Sequence, residues 1–176
     1  EKDFEQKQIK EFNNRDSFVD LYHVISLKTK KELGKLTDKE IIYIPFWSDQ
    51  NTWFKVDDKD KLRNKYGLPL DAYIIGSFQR DTEGSDLKSP KLIKGPDRLI
   101  QIIESKNKEF NKVIIVLSGK RRQYIIKELE NLNIDYKYFE MVNTDQLNEL
   151  YNYLDLYVVA SRIEGGPQAI IECALS

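Results

Sequence analysis

The stretch Lys112-Val113-Ile114-Ile115-Val116-Leu117-Ser118-Gly119 decides the fold of this chain. Residues 113–117 are apolar without interruption and mostly β-branched, so the alternation of a half-wet strand is missing. Such a run suits a parallel strand covered on both faces, and it falls far short of a membrane span. Gly119 then turns the chain into an amphipathic segment with Ile125, Ile126, Leu129 and Leu132 on one side.

The same alternation extends in both directions. Upstream, Ala72-Tyr73-Ile74-Ile75-Gly76-Ser77-Phe78 predicts a first strand, and a long polar loop follows. A helix then opens at Pro96-Asp97 and carries Leu99, Ile100, Ile102 and Ile103. Proline in a first helical turn gives up no needed donor. Downstream, residues 135–139 read as a weaker third strand. Thr144 is the expected N-cap of a helix bearing Leu147, Leu150, Tyr151 and Leu154. Residues 156–160 read as a fourth strand, and a last helix begins at Pro167. Strands alternating with helices predict an α/β fold, a doubly wound parallel sheet of the Rossmann-like kind.

The pattern before Tyr73 differs. Residues 1–12 read as an exposed charged helix, and residues 18–27 hold one strand-like run. Ile41-Ile42-Tyr43-Ile44-Pro45 is another short strand, and residues 57–66 form a charged helix ended by Gly67 and Pro69. Residues 1–40 are therefore expected to be the tail of a preceding domain and the segment between domains. Residues 41–176 are expected to be a Rossmann-like domain cut short at its C-terminal end.

Bulk composition excludes several classes. Lys and Arg total 28 against 29 Asp and Glu, so no basic excess points to nucleic acid. Any anion site must be built locally. The single cysteine, Cys173, excludes an internal disulfide framework and suits a reducing compartment. No signal peptide opens the sequence, which has no initiator Met and stops inside an apparent helix, so it reads as a fragment.

Two loops carry candidate chemistry. After the fourth strand, Glu164-Gly165-Gly166-Pro167 leads into a helix that contains Glu172. The glycines let backbone approach a ligand closely, and the helix start offers unpaired N–H groups at a positive dipole end. Pro167 has no N–H, so the donors there would be Gln168, Ala169 and Ile170. A phosphate could sit at that dipole with a sugar hydroxyl at each acid. After the first strand, Gly76 leads to Arg80, and Lys88, Lys91 and Lys94 follow before the glycine turn at Gly95. Fixed cations of this kind suit a diphosphate. A solvated surface loop is the competing reading of each stretch, and Asp81, Glu83 and Asp86 favour it in the second.

Topology joins the two. In a doubly wound sheet of order 3-2-1-4 the winding reverses between strands one and four, and ligands bind at their carboxyl ends. The loops after those strands are the two just described. Cations on one side and a helix dipole with paired acids on the other would face one crevice.

Glu164 and Glu172, in a Glu-x₇-Glu spacing after a strand that ends in Ser161-Arg162, resemble the signature of retaining glycosyltransferases of the GT-B fold, family 4. Residues 44–54, beginning Ile44-Pro45-Phe46-Trp47, resemble that family's entry into its second domain. Gly76 with Lys94-Gly95, and Leu150-Tyr151 with Asp155-Leu156, match further landmarks in order. The resemblance implies a donor-binding domain for a nucleoside-diphosphate sugar. It implies that Glu164 meets donor-sugar hydroxyls and shares in catalysis, while Glu172 holds the ribose hydroxyls. Arg and Lys would clamp the diphosphate with no cofactor and no required metal, and backbone around Met141 and Val142 would meet the base. The acceptor, a glycan or lipid in polysaccharide or related biosynthesis, would be held by an N-terminal domain outside this sequence. A cytoplasmic location, with peripheral membrane contact open to the full-length protein, follows from the same resemblance.

Three departures stand out. Glu-Gly-Phe-Gly becomes Glu-Gly-Gly-Pro, and Ser77 takes the position of the usual Arg, which leaves Arg80 as substitute. Lys94 occupies the Lys-Gly position, with Lys91 as a rival. His23, the only histidine, and Cys173 are expected to play packing or surface roles, and Phe46, Trp47, Trp53 and Phe54 to pack in a core. Two alternatives to the transferase remain at this level. One is a catalytically inactive module of the same fold that binds a partner. The other is a different doubly wound nucleotide binder, although the loop after strand one lacks G-x-G-x-x-G.

Overall fold

The computed structural model describes residues 2–176, with side chains from residue 5 onward. They fall into two compact units, one ending at Phe46 and the other Trp47–Ser176.

In the first unit, helix α1 (Lys2–Asp16) is followed by strand β1 (Leu21–Val24), helix α2 (Leu27–Leu33) and strand β2 (Glu40–Tyr43). The expected charged helix and both strands are present, with Glu1 outside the described residues. β1 and β2 pair in parallel, from Leu21 opposite Glu40 to Val24 opposite Tyr43. Helix α2 was not expected. Ser26 starts it by accepting the backbone N–H of Thr29 at 3.0 Å, a side-chain N-cap in a stretch without apolar periodicity. His23 is exposed, with Nε2 3.0 Å from the carbonyl oxygen of Ile44.

The second unit begins with helix α3 (Lys59–Lys65), capped by Asp58, and strand β3 (Tyr73–Ser77). A hairpin of β4 (Thr82–Glu83) and β5 (Ser89–Pro90) and a 3₁₀ turn (Leu92–Lys94) precede helix α4 (Pro96–Glu109). Then come β6 (Val113–Ser118), α5 (Gln123–Asn131), β7 (Tyr136–Phe139), α6 (Thr144–Tyr153), β8 (Leu156–Tyr157) and α7 (Gln168–Leu175).

The sheet order is β7-β6-β3-β8 with every pair parallel, which is the expected 3-2-1-4. Both faces of the sheet are dry. Ile74, Ile114 and Val116 point into a cluster closed by α3, α6 and α7. Ile75, Val113, Ile115 and Leu117 point to the other side, against Leu99 and Ile103 of α4 and Ile125 and Leu129 of α5. All of β6 is buried, which is why its sequence shows no alternation.

Five local expectations are corrected. The loop after β3 is not featureless polar chain, since it contains the antiparallel hairpin, with Thr82 opposite Pro90. Asp81 and Thr82 at its base find partners in residues 122–125, a long-range satisfaction with no local signal. The N-cap of α6 is Asn143, not Thr144, because Asn143 forms a reciprocal capping box with Gln146. The fourth strand ends at Tyr157, short of residue 160, and α7 starts after Pro167, which is its N-cap. Finally, only Trp53 of the aromatic group is buried, edge-on to Tyr151 at 5.7 Å, while Phe46, Trp47 and Phe54 are exposed.

Candidate functional site

The loops after β3 and β8 meet at the C-terminal edge of the sheet, and their side chains interlock. Gly95 makes the approach possible. Its φ of 63° is left-handed, and a Cβ there would stand 2.0 Å from the carbonyl oxygen of Ala160. No other residue type meets both conditions without displacing backbone. Arg162 then grips the opposite loop, with a bidentate pair to Asp97 at 2.8 and 2.5 Å and a third bond to the Leu92 carbonyl at 2.6 Å. Its own N–H donates to the Ile93 carbonyl. These bonds from Arg162 drive the Asp97 carboxyl down to about 2.

Between those fixed points lie Lys94 and Glu164. Lys94 Nζ stands 2.5 Å from Glu164 Oε1, and the Ser161 hydroxyl donates to the same oxygen at 2.6 Å. Gln79 bridges the two loops, donating from Nε2 to the Lys94 carbonyl at 2.8 Å, with Oε1 3.0 Å from Ser161 Oγ. Burial alone would raise the Glu164 carboxyl, but the bonds from Lys94 and Ser161 and the lysine charge hold it below its ordinary value.

Beside this cluster opens a pocket of about 310 Å³. Phe78, Tyr151 and Tyr157 line it, with ring centroids 5.1 to 5.2 Å apart. Met141 and Val142 line another side, and Ala169 and Glu172 come from α7. The Glu172 carboxylate accepts a hydrogen bond from the Tyr151 hydroxyl at 3.1 Å. Burial raises its carboxyl above the ordinary range, with Tyr151 acting in the opposite direction. The helix start is also available. Ile170 N–H bonds the Pro167 carbonyl at 3.0 Å, while the amides of Gln168 and Ala169 have no backbone partner in the turn.

The expected residues therefore divide. Val142, Ala169 and Glu172 line the pocket, Lys94 and Glu164 form the cluster beside it, and Gln168 opens α7. Gly165 and Gly166 lie in the loop between them, and neither has the positive φ found at Gly67, Gly84, Gly95 and Gly119. Gly76 serves packing: a Cβ there would meet Leu154 Cδ1 at 2.2 Å. Arg80 is exposed and donates from Nε to the Thr82 carbonyl at 3.2 Å, which ties it to its own hairpin. Lys91 contributes its backbone N–H to the Asp81 carbonyl, and its side chain makes no ion pair among the described residues. Sequence reading missed Gln79, Ser161, Arg162, Asp97 and Tyr151. Only the adjacency of Ser161 and Arg162 to Glu164 could have flagged any of them.

The hairpin is held from below by a buried pair. Arg122 and Asp81 are 0% and 2% exposed, with Arg122 Nε 2.8 Å from Asp81 Oδ2. Burial pushes the Asp81 carboxyl up and the Arg122 guanidinium down, more than their attraction returns. Asp81 and Thr82 also receive the N–H groups of Ile125 and Tyr124, so the hairpin caps α5. Among the described residues no group of three or more His, Cys, Asp or Glu is placed to hold a metal, and no helix is long and apolar enough to cross a membrane.

Residues 58–174 match the family model described as glycosyl transferases group 1. The chain belongs to that family. Solved structures with the same fold include a sucrose-phosphate synthase from Thermosynechococcus elongatus, at 17% identity and TM-score 0.71, covering 90% of this chain and 40% of that one. The Anabaena protein HepE, solved in complex with UDP and glucose, matches at 19% identity and TM-score 0.68, over 93% of this chain and 44% of its own. A glycosyltransferase from Rickettsia africae matches at 20% identity and TM-score 0.56, over 79% of this chain and 37% of its own. The group 1 chain thus spans less than half the length of these structures. No curated protein matches it.

Proposed function

We propose that this chain is the donor-binding part of a retaining glycosyltransferase, which moves a sugar from a nucleoside diphosphate to an acceptor hydroxyl with the anomeric configuration kept. One observation carries the reading. A cation, Lys94, a carboxylate, Glu164, and open amides of α7 converge beside an aromatic pocket that holds a second carboxylate, Glu172. The base would lie against residues 141–142, the ribose hydroxyls on Glu172, the diphosphate at Lys94 and the α7 start, and the sugar at Glu164.

In that arrangement Lys94 would turn from Glu164 to the diphosphate and neutralise charge as it leaves. The α7 dipole would act in the same direction. Glu164, held ionised, would accept hydroxyl protons of the sugar, and no step calls for a metal. Arg80 would need to leave its hairpin bond to reach a phosphate, so Lys94 is the cation assigned. Acceptor recognition, whether of a glycan or a lipid, and any contact with the cytoplasmic membrane face are assigned to regions outside these residues. The chain by itself would bind donor weakly and turn nothing over.

Calorimetry with UDP, GDP, CDP, ADP and NAD tests the reading. One nucleoside diphosphate should bind, and Glu172→Ala should abolish its binding. Preference for NAD would exclude the assignment, and silence across the panel would favour an inactive module that binds a partner.

A further inference from the structure

We infer that Tyr151 is a positioning residue for the nucleoside, acting through Glu172. This rests on the donor-site reading above and adds to it the group that aims the carboxylate. Tyr151 is 4% exposed and fixed on three sides, against Phe78 at 5.2 Å, Tyr157 at 5.1 Å and Trp53 at 5.7 Å. These rings come from three different parts of the fold, so the phenol has little freedom to turn. Its hydroxyl reaches Oε2 of Glu172 at 3.1 Å. Oε1 of Glu172 accepts no hydrogen bond among the described residues, and Glu172 lines the pocket.

The physical consequence is directional. A carboxylate on a helix can rotate about its last bonds, and one anchored oxygen fixes the direction of the other. Burial works against ionisation of Glu172, and a single phenolic donor favours the ionised, acceptor-only form that ribose hydroxyls require. The charged and titratable groups that share the pocket with this carboxyl are Tyr151 from α6, Tyr157 from β8, and Glu140. None of them is a cation that could replace the phenol. Tyr151 also packs in the core, and the test must therefore separate aiming from packing.

Calorimetry with UDP, GDP and ADP, then with the 2′,3′-dideoxy form of whichever binds, makes that separation. Wild-type chain should prefer the ribose form by about tenfold, the scale of a hydrogen bond to a charged group. Tyr151→Phe should shrink that preference to about twofold while leaving dideoxy binding unchanged, because the ring and its packing remain. In a Glu172→Gln background, adding Tyr151→Phe should change ribose binding no further. Retained preference in Tyr151→Phe, an equal loss for both forms, or collapse of its thermal transition would overturn the inference. Absence of any nucleoside diphosphate binding to wild type is a different result, since it removes the donor-site reading itself.

Discussion

Lys94 Nζ and Glu164 Oε1 stand 2.5 Å apart although their residues are 70 positions apart in the chain. Each is expected to hold a different part of one donor, and in this structure they pair with each other. Both side chains are about one-quarter exposed, so the pair is worth on the order of 1 kcal/mol or less. Glu164→Gln should therefore release Lys94 and tighten nucleoside diphosphate binding by about two- to fivefold. The same variant should weaken the sugar-bearing donor. Calorimetry with both ligands checks the opposed signs, and weaker binding of both would exclude the exchange.

Gly95→Ala should damage the site at its foundation. The left-handed backbone and the overlap with the Ala160 carbonyl together cost about 2–4 kcal/mol. Gly84→Ala, in the exposed hairpin, meets the Asp86 carboxylate at 2.8 Å, and it should cost about 1 kcal/mol. Urea denaturation of the two variants gives the comparison. A Gly95→Ala chain as stable as wild type would show that the two loops need not touch.

The buried Asp81–Arg122 pair should behave asymmetrically. Arg122→Met leaves a carboxylate uncompensated and should cost about 3–5 kcal/mol. Asp81→Asn with Arg122→Met should recover most of that loss, since neither charge then remains in the interior. Chemical denaturation of the single and double variants checks the recovery.

Asp97 predicts how stability responds to acid. Its folded pKa, about 2, lies below the ordinary 3.8, so the folded state binds protons less readily than the unfolded. The stabilisation is present above pH 4 and is lost as pH falls from about 4 toward 2. Asp97→Asn should remove that part of the acid response. Thermal melts of both proteins between pH 5 and pH 2.5 measure the difference, and identical profiles would exclude a role for the Arg162 pair.

How much of this was legible in the sequence depends on the range of the forces involved. The run at residues 113–117, the helix at Pro96 and the segment ending at Leu132 each announce themselves, because burial on both faces or on one stripe dictates the spacing of apolar residues. From that order, the parallel sheet with β3 beside β8 follows through chain connectivity, and so does the meeting of two particular loops. Helix α2 and the β4–β5 hairpin were not legible. Their stability comes from a hydroxyl cap and from partners such as Arg121, whose carbonyl receives the N–H groups of Asp81 and Thr82.

The sequence by itself determined the doubly wound layer and the neighbourhood of Lys94, Glu164 and Glu172, because hydrophobic periodicity and connectivity are properties of the chain read in order. Only the tertiary structure decided which groups pair. It gave Lys94 to Glu164 and Arg162 to Asp97, left Arg80 on its hairpin, and put Tyr151 against Glu172. Those choices require side chains from distant parts of the chain to come within hydrogen-bonding reach, about 3 Å, which only the folded backbone arranges.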